Sequence, residues 1–288
     1  MTTQAIYHSP AGERVVMGLY DEALARWPVP YEAQTVPTRH GDTYVVSSGD
    51  PAAPPLVLLH GAGTNSAIWA GDVAVYSPHF RVHAVDLLGE AGRSAPNRPD
   101  WHTLAYAEWL ADVFDALGID QAALLGISQG GWTALRLATA QPERVRQLVL
   151  LCPGGVIASR TSFLLKAIPM SFLGEWGAVR ITRMMYGDQP FAPEVEDIVV
   201  QVTKHFKPRI GAPYIFTDEE LARLTMPVLL IGGTKDVIFD NEQIARRLSG
   251  LLPALTVQIV PGAGHALINM ADRVMAFLEE EATPVHAG

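Results

Sequence analysis

The chain has 288 residues, 49% of them hydrophobic and 18% charged, with a formal net charge of −9 and one cysteine. That length suits a large single α/β core carrying an insertion better than two full domains. The lone Cys152 excludes an internal disulfide framework and a cysteine-type metal site, fits a reducing compartment, and reads as a small buried hydrophobe. The acidic balance argues against nucleic acid and anionic membrane as partners. No segment approaches the twenty or so apolar residues of a membrane span, and the first residues lack a basic region followed by an apolar one, so a cytoplasmic protein is expected.

In chain order, Pro10 to Trp27 reads as an amphipathic helix with Val15, Val16, Leu19, Leu24 and Trp27 toward a core, stopped by Pro28 and Pro30. Tyr31 to Val36 and Tyr44 to Ser47, joined at His40-Gly41-Asp42, read as a hairpin opening a sheet. Leu56 to Leu59 is a buried parallel strand ending at His60-Gly61-Ala62-Gly63. A helix from about Ser66 to Tyr76, a strand Val82 to Val85 ending at Asp86, and a helix from about Thr103 to Leu117 come next. The strand Ala122 to Leu125 and the helix Trp132 to Ala140 flank Gly126-Ile127-Ser128-Gln129-Gly130. After the strand Arg146 to Leu151 the pattern changes, to about Asp218, into irregular helical pieces rich in large apolar residues such as Phe163, Phe172 and Trp176. Pro227 to Ile231, Asn241 to Leu251, Thr256 to Val260 and Ala266 to Glu280 then give strand, helix, strand and closing helix. The expectation is an α/β fold with a mostly parallel, helix-covered sheet and ligands at the carboxyl ends of its strands. Its parts would be an amino-terminal helical arm over 1–30, a core over 31–153 and 219–288, and a helical cap insertion over 154–218.

The central stretch is the pentapeptide at 126–130. Strand, sharp turn and helix are the context of a Gly-x-Ser-x-Gly nucleophile elbow, in which glycines are needed where Cβ atoms would strike the neighbouring strand and helix. Ser128 would stand exposed over the start of the next helix, whose free N–H groups favour developing negative charge. A serine N-cap on an ordinary turn is the plain alternative. A serine nucleophile needs a base, and His265, in the glycine-rich loop off the last strand, lies at a later strand end. The base needs a carboxylate to fix its tautomer. Asp236 closes the preceding strand, whereas its neighbour Asp240 reads as the cap of the helix starting at Asn241. The oxyanion hole would use the backbone N–H of Gln129 and that of Ala62, in a loop that Gly61 and Gly63 let approach a substrate. Gly61, Trp69, Ile127, Val237 and Leu267, with part of the cap, are candidate pocket walls, core packing being the competing role for each.

With the loop at 60–63, the elbow at 126–130, Asp236 and His265 in this order, the chain resembles the α/β-hydrolase superfamily from about Tyr31 to Leu278. The block Asp86-Leu87-Leu88-Gly89-Glu90-Ala91-Gly92-Arg93-Ser94 is similar to the Asp-x-x-Gly-x-Gly-x-Ser loop of these enzymes, with one residue more between the glycines. Together with the long amino-terminal helix it looks like the bacterial carboxylesterase branch. The resemblance implies a serine esterase without cofactor, and the candidate pocket residues imply small to medium, neutral, moderately apolar esters; no metal and a monomer or homodimer are expected. Serine at 128 disfavours haloalkane dehalogenases and epoxide hydrolases, while lactonase, thioesterase, perhydrolase and acyltransferase stay open. Two other classes compete. One is a non-catalytic binding or signalling module on the same fold. The other is a dinucleotide site on Gly61 to Ser66 with Asp86 about twenty residues on.

Overall fold

In the computed structural model, which describes residues 5–280, eight strands form one sheet in the order β1-β2-β4-β3-β5-β6-β7-β8. The hairpin β1 (Tyr31–Val36) and β2 (Thr43–Ser48) is antiparallel, and β2 pairs antiparallel with β4 (Arg81–Val85). From β4 onward all pairs are parallel: β3 (Pro55–Leu59), β5 (Ala122–Ile127), β6 (Val145–Leu151), β7 (Val228–Gly233) and β8 (Leu255–Val260). Because β3 lies between β4 and β5, the loops after β3 and β5 leave the sheet side by side. That adjacency places the segment after Leu59 against the segment after Ile127.

Side chains alternate across the pleat, and both faces are apolar. Val57, Leu59, Leu124, Leu148 and Leu150 face α3 (Ala105–Ala116), α4 (Gln129–Ala140) and α9 (Asn241–Ser249), packing with Trp109, Phe114, Trp132, Leu135 and Ile244. Leu56, Leu58, Leu125, Val149 and Ile231 face the other side. There they meet Tyr20 and Leu24 of α1 (Pro10–Ala25), Trp69, Tyr76 of α2 (Val73–Tyr76), and Val274 and Leu278 of α10 (Ala271–Glu280). Period-two alternation between two apolar faces is what the continuous apolar runs in the sequence encode.

Between β6 and β7 the chain leaves the sheet for α5 (Thr161–Ser171), α6 (Gly174–Tyr186) and α7 (Pro193–His205), and returns through the single turn α8 (Asp218–Leu221). The two stems of this insertion are pinned together and to the core. Phe216 N–H donates to Gly155 O at 2.9 Å and Trp132 Nε1 to Tyr214 O at 2.9 Å, while Arg247 reaches Val156 O, Phe216 O and Asp218. The helices themselves bury little: Leu165, Ile168, Phe172, Leu173 and Trp176 are all exposed. α7 packs on α1, where Gly12 leaves the space that the His205 ring needs.

Three local expectations are revised. The helix read over Ser66 to Tyr76 is a 3-10 segment, Ser66–Gly71, followed by the short α2. The closing helix begins at Ala271, not Ala266, because Ala266 and Ile268 donate backbone N–H groups to Met185 O and Gln189 Oε1 of the insertion and Asn269 takes a positive φ. On α1 the inward face is Val16, Tyr20 and Leu24, while Val15 is 40% exposed and Leu19 half-buried. A polar anchor rotates that helix: Tyr20 donates its hydroxyl to the buried Asp86 at 2.9 Å.

His83, on β4, is buried with Nδ1 2.9 Å from Ser47 Oγ, and burial together with the charge of Arg81 lowers its pKa from 6.5 to about 4. As pH falls below about 6.5 the unfolded chain takes up a proton that the folded chain refuses, so stability drops in that window and levels off near the folded value. Denaturant unfolding at pH 7 and near pH 4 should give the wild type an acid loss about 3 kcal/mol larger than that of His83→Gln. Equal losses would mean that His83 is protonated in the folded protein.

Candidate active site

β5 runs directly into Ser128, and α4 starts at Gln129. Ser128 has φ 54° and ψ −110°, a conformation that costs a non-glycine residue about 1–3 kcal/mol. Backbone bonds hold it there: Ser128 N–H to Leu151 O at 2.9 Å, Trp132 N–H to Ser128 O at 3.0 Å and Gly154 N–H to Ser128 O at 3.1 Å. The flanking glycines are steric necessities. A Cβ on Gly126 would lie 2.4 Å from Gly130 O, and one on Gly130 would lie 2.0 Å from Leu59 O.

The structure brings Ser128, His265 and Asp236 together. His265 follows β8 and lies with Nε2 2.9 Å from Ser128 Oγ and Nδ1 3.0 Å from Asp236 Oδ2. Asp236 follows β7. Its Oδ1 accepts from the N–H groups of Ile238 at 2.7 Å and Phe239 at 3.0 Å, and its Oδ2 also accepts from Asn241 Nδ2 at 3.0 Å. Burial alone would raise the Asp236 pKa, but the hydrogen bond and charge of His265 and these two N–H donors bring it below the ordinary carboxylate value. An ionised carboxylate only accepts, so Nδ1 carries the proton and Nε2 presents its lone pair to the serine hydroxyl. Asp240 caps α9, with Oδ1 accepting from Gln243 N.

Beneath this line Cys152 Sγ lies 3.7 Å from Asn241 Nδ2, and burial, first, and the Asp236 charge push its thiol well up. Cys152, Asp236 and His265 offer ligand atoms within 4.8 Å of one another. The set does not fit a metal ion: the thiol is held protonated and each imidazole nitrogen already has a partner.

On the other side of Ser128 lies the loop after β3. His60 is fully buried; its Nε2 accepts from Leu87 N–H at 2.9 Å and its Nδ1 donates to Gly61 O at 2.8 Å. An added Cβ on Gly61 would lie 3.8 Å from Ser128 Cβ, so this loop flanks the elbow. Ala62 is exposed, and neither its N–H nor that of Gln129 meets an acceptor among the described residues. Two free donors thus stand on the two segments that flank Ser128.

The loop after β4 supports both sides. Asp86 is fully buried, accepting from Tyr20 Oη, Ser66 N at 2.8 Å and Ser66 Oγ at 2.7 Å on Oδ1, and from Arg93 N at 2.8 Å on Oδ2. Asp86 is wholly enclosed, with both oxygens engaged by the protein, and does not reach a ribose, which removes the dinucleotide reading. Glu90 is buried too, with Oε2 accepting from Gly63 N–H at 2.7 Å and Oε1 from Gln129 Nε2 at 2.9 Å.

Of the expected pocket walls, Gly61 and Ile127 lie at the elbow, and half-buried Val237 and Leu267 lie beside Asp236 and His265 in the chain. Trp69 is only 3% exposed, packs in the core cluster shared with Ile127 and Leu267, and leaves its indole N–H unpaired. Sequence reading missed Asn241, Glu90 and Gln189. Gln189, past the end of α6, donates to Ala266 O at 2.8 Å and accepts from Ile268 N–H, and Gly264 N–H donates to Tyr186 O at 3.2 Å, so the insertion is bonded to the histidine loop. The signal for Glu90 was a carboxylate set among Leu87, Leu88, Gly89, Ala91 and Gly92.

The chain is similar to carboxylesterase YbfK of Bacillus subtilis (strain 168), 34% identical over 90% of this chain and 92% of that protein. The crystal structure of that carboxylesterase, CesB (YbfK), superposes with a TM-score of 0.83 at 33% identity, covering 93% of this chain and 98% of the other. The crystal structure of naproxen esterase (carboxylesterase NP) from Bacillus subtilis gives 0.85 at 31% identity, covering 94% and 99%. The model of the alpha/beta hydrolase family matches residues 56–277. Eight strands in this order, a serine at the turn after β5 and relatives a third identical along nine-tenths of the sequence make the chain a member of the alpha/beta hydrolase family.

Proposed function

We propose that this carboxylesterase-type hydrolase cleaves esters through an acyl-enzyme on Ser128. The observation that carries the reading is the unbroken line from Ser128 Oγ through His265 to Asp236, at 2.9 and 3.0 Å. Ser128 Oγ attacks the acyl carbonyl carbon as its proton passes to His265 Nε2, and Asp236 stabilises the imidazolium that results. The carbonyl oxygen, now negative, accepts from the N–H groups of Ala62 and Gln129, near the positive end of α4. The alcohol leaves with the proton from Nε2. Water then gives a proton to the same nitrogen as its oxygen bonds to the acyl carbon, and the bond to Ser128 breaks as Nε2 passes that proton to Oγ, which releases the acid and restores the free serine.

The half-buried apolar residues about the serine favour small to medium, neutral, moderately apolar esters, with α5–α7 acting as a cap. A neighbour named naproxen esterase supports including an apolar aromatic acid among the acyl groups to test. The acidic net charge and buried lone cysteine support a cytoplasmic protein with no nucleic-acid partner. Among the described residues no helix is long and apolar enough to cross a membrane.

Hydrolysis of 4-nitrophenyl butyrate should be saturable, with Ser128→Ala losing on the order of 10⁴-fold or more in kcat. Equal turnover by both proteins would refute the nucleophile, and no turnover of any ester by the wild type would return the chain to a binding role. Asp236→Asn should lose about 10⁴-fold in kcat, because the amide no longer selects the Nδ1–H tautomer, and should lose some thermal stability, since the new amide nitrogen faces the Asn241 Nδ2 donor. Because Asp236 is held ionised below the ordinary carboxylate range, it does not titrate in mild acid. The acid limb of log kcat/KM against pH should therefore have a slope of one, and a slope of two would show that a second group is protonated with the base.

A further inference from the structure

Glu90 is a buried carboxylate that the reaction above does not use. It is 2% exposed and spans two segments far apart in the chain, the tip of the loop after β3 and the first residue of α4. Its two oxygens are divided between them: Oε2 takes the Gly63 N–H and Oε1 the Gln129 side-chain amide. Ala62 and Gln129 are the residues whose backbone N–H groups were assigned to the oxyanion. We infer that Glu90 is the positioning residue of the oxyanion hole, setting the separation of its two donors by bridging the segments that carry them. The inference rests on the acyl-enzyme reading of the site.

Beyond Gly61, packing does little to hold the loop tip. Gly63 takes φ +69°, and a Cβ built there would meet nothing within 4 Å, so packing does not fix the peptide between Ala62 and Gly63. His60 and Thr64 both grip the loop at Gly61 O, and Asn65 grips it through Ala91 O at 2.9 Å. The Gly63 N–H is left to Glu90. The Ala62 N–H shares its peptide plane with Gly61 C=O, which His60 and Thr64 hold; Glu90 fixes the next plane through the Gly63 N–H and ties the tip that carries Ala62 to the first residue of α4. Displacements of about 1 Å at a reacting group cost about 10²-fold in rate.

A charge here also has a cost. Burial pushes the Glu90 carboxyl up, opposed by the Gly63 N–H and the Gln129 amide, and an ionised Glu90 near an oxyanion repels it. Bracing and charge therefore predict opposite outcomes for variants that separate them. In Glu90→Gln the new side chain keeps an acceptor for Gly63 and offers an amide to Gln129, which satisfies it by turning its own amide over. Glu90→Ala keeps neither contact. Gln129→Ala removes the bridge from the helix side and leaves the backbone donor in place.

The test measures kcat and KM for 4-nitrophenyl butyrate, and the inhibition constant of an alkyl trifluoromethyl ketone, whose hemiketal oxyanion needs both donors. Glu90→Gln is expected to keep at least about a third of wild-type kcat, Glu90→Ala to lose about 10- to 100-fold in kcat with KM within about two-fold, and the ketone to weaken in parallel. If Glu90→Ala does not fold, Gln129→Ala carries the test, with an expected loss of about five-fold or more in kcat and the same weakening of the ketone. Wild-type kcat in the folded variant overturns the inference, as does a loss confined to KM or a loss in Glu90→Gln as large as in Glu90→Ala. Ser128→Ala in the same assay separates the two claims: if it stays active the acyl-enzyme reading fails, and if it is dead while the bridge variants keep full kcat only the role of Glu90 fails.

Discussion

The turn at Ser128 constrains the molecule more than any other feature. Here the strand passes into the helix through one residue that lies outside the regions ordinarily open to a non-glycine residue, and the surrounding structure must over-determine it. Leu151, Trp132 and Gly154 do this through the Ser128 backbone, while Gly126 and Gly130 let α4 approach to within contact of β5 and β3. The same closeness places the first N–H of α4 beside the serine. Strain and chemistry are thus one arrangement: the conformation that costs stability is the one that exposes the hydroxyl next to an unpaired donor.

Around that turn the supporting groups form layers of polar contacts in an apolar core. Asp86 gathers Tyr20, Ser66 and Arg93, so the amino-terminal helix, the start of the segment after β3 and the loop after β4 are tied to a single carboxylate. Asp236 does the same for His265, Asn241 and the turn at Ile238 and Phe239. Both carboxylates sit at strand ends, where the backbone leaves the sheet ladder and offers free N–H groups. Buried carboxylates with both oxygens engaged organise loops in a way that apolar packing, which lacks direction, does not.

Much of this is legible in the sequence because it depends on local pattern. Apolar runs of strand length, glycines two residues either side of a serine, and single polar residues following successive runs all survive as linear signals. What is not legible depends on contacts between distant segments. The bridge from Glu90 to Gly63 and Gln129 spans 27 and 39 residues, and nothing near Glu90 in the chain announces either partner. The face of α1 was misjudged for a related reason: hydrophobic spacing gives Val15 and Leu19 an inward role, but the hydroxyl of Tyr20 seeks Asp86 and turns the helix. The late start of α10 comes from residues 266–268 being engaged by the insertion, which no helix propensity could foretell.

That engagement bears on how far the parts of the molecule are interchangeable. Gly187 meets Ala263 in a backbone bridge, and glycines at 187, 262 and 264 allow the two segments to touch, since an added Cβ on Gly264 would lie 2.1 Å from Met185 O. The insertion and the histidine loop are therefore parts of one joint. Transplanting a foreign segment between β6 and β7 would also remove half of that joint. Modularity ends at Met185, and a successful graft has to keep the residues from there to Gln189 as part of the recipient.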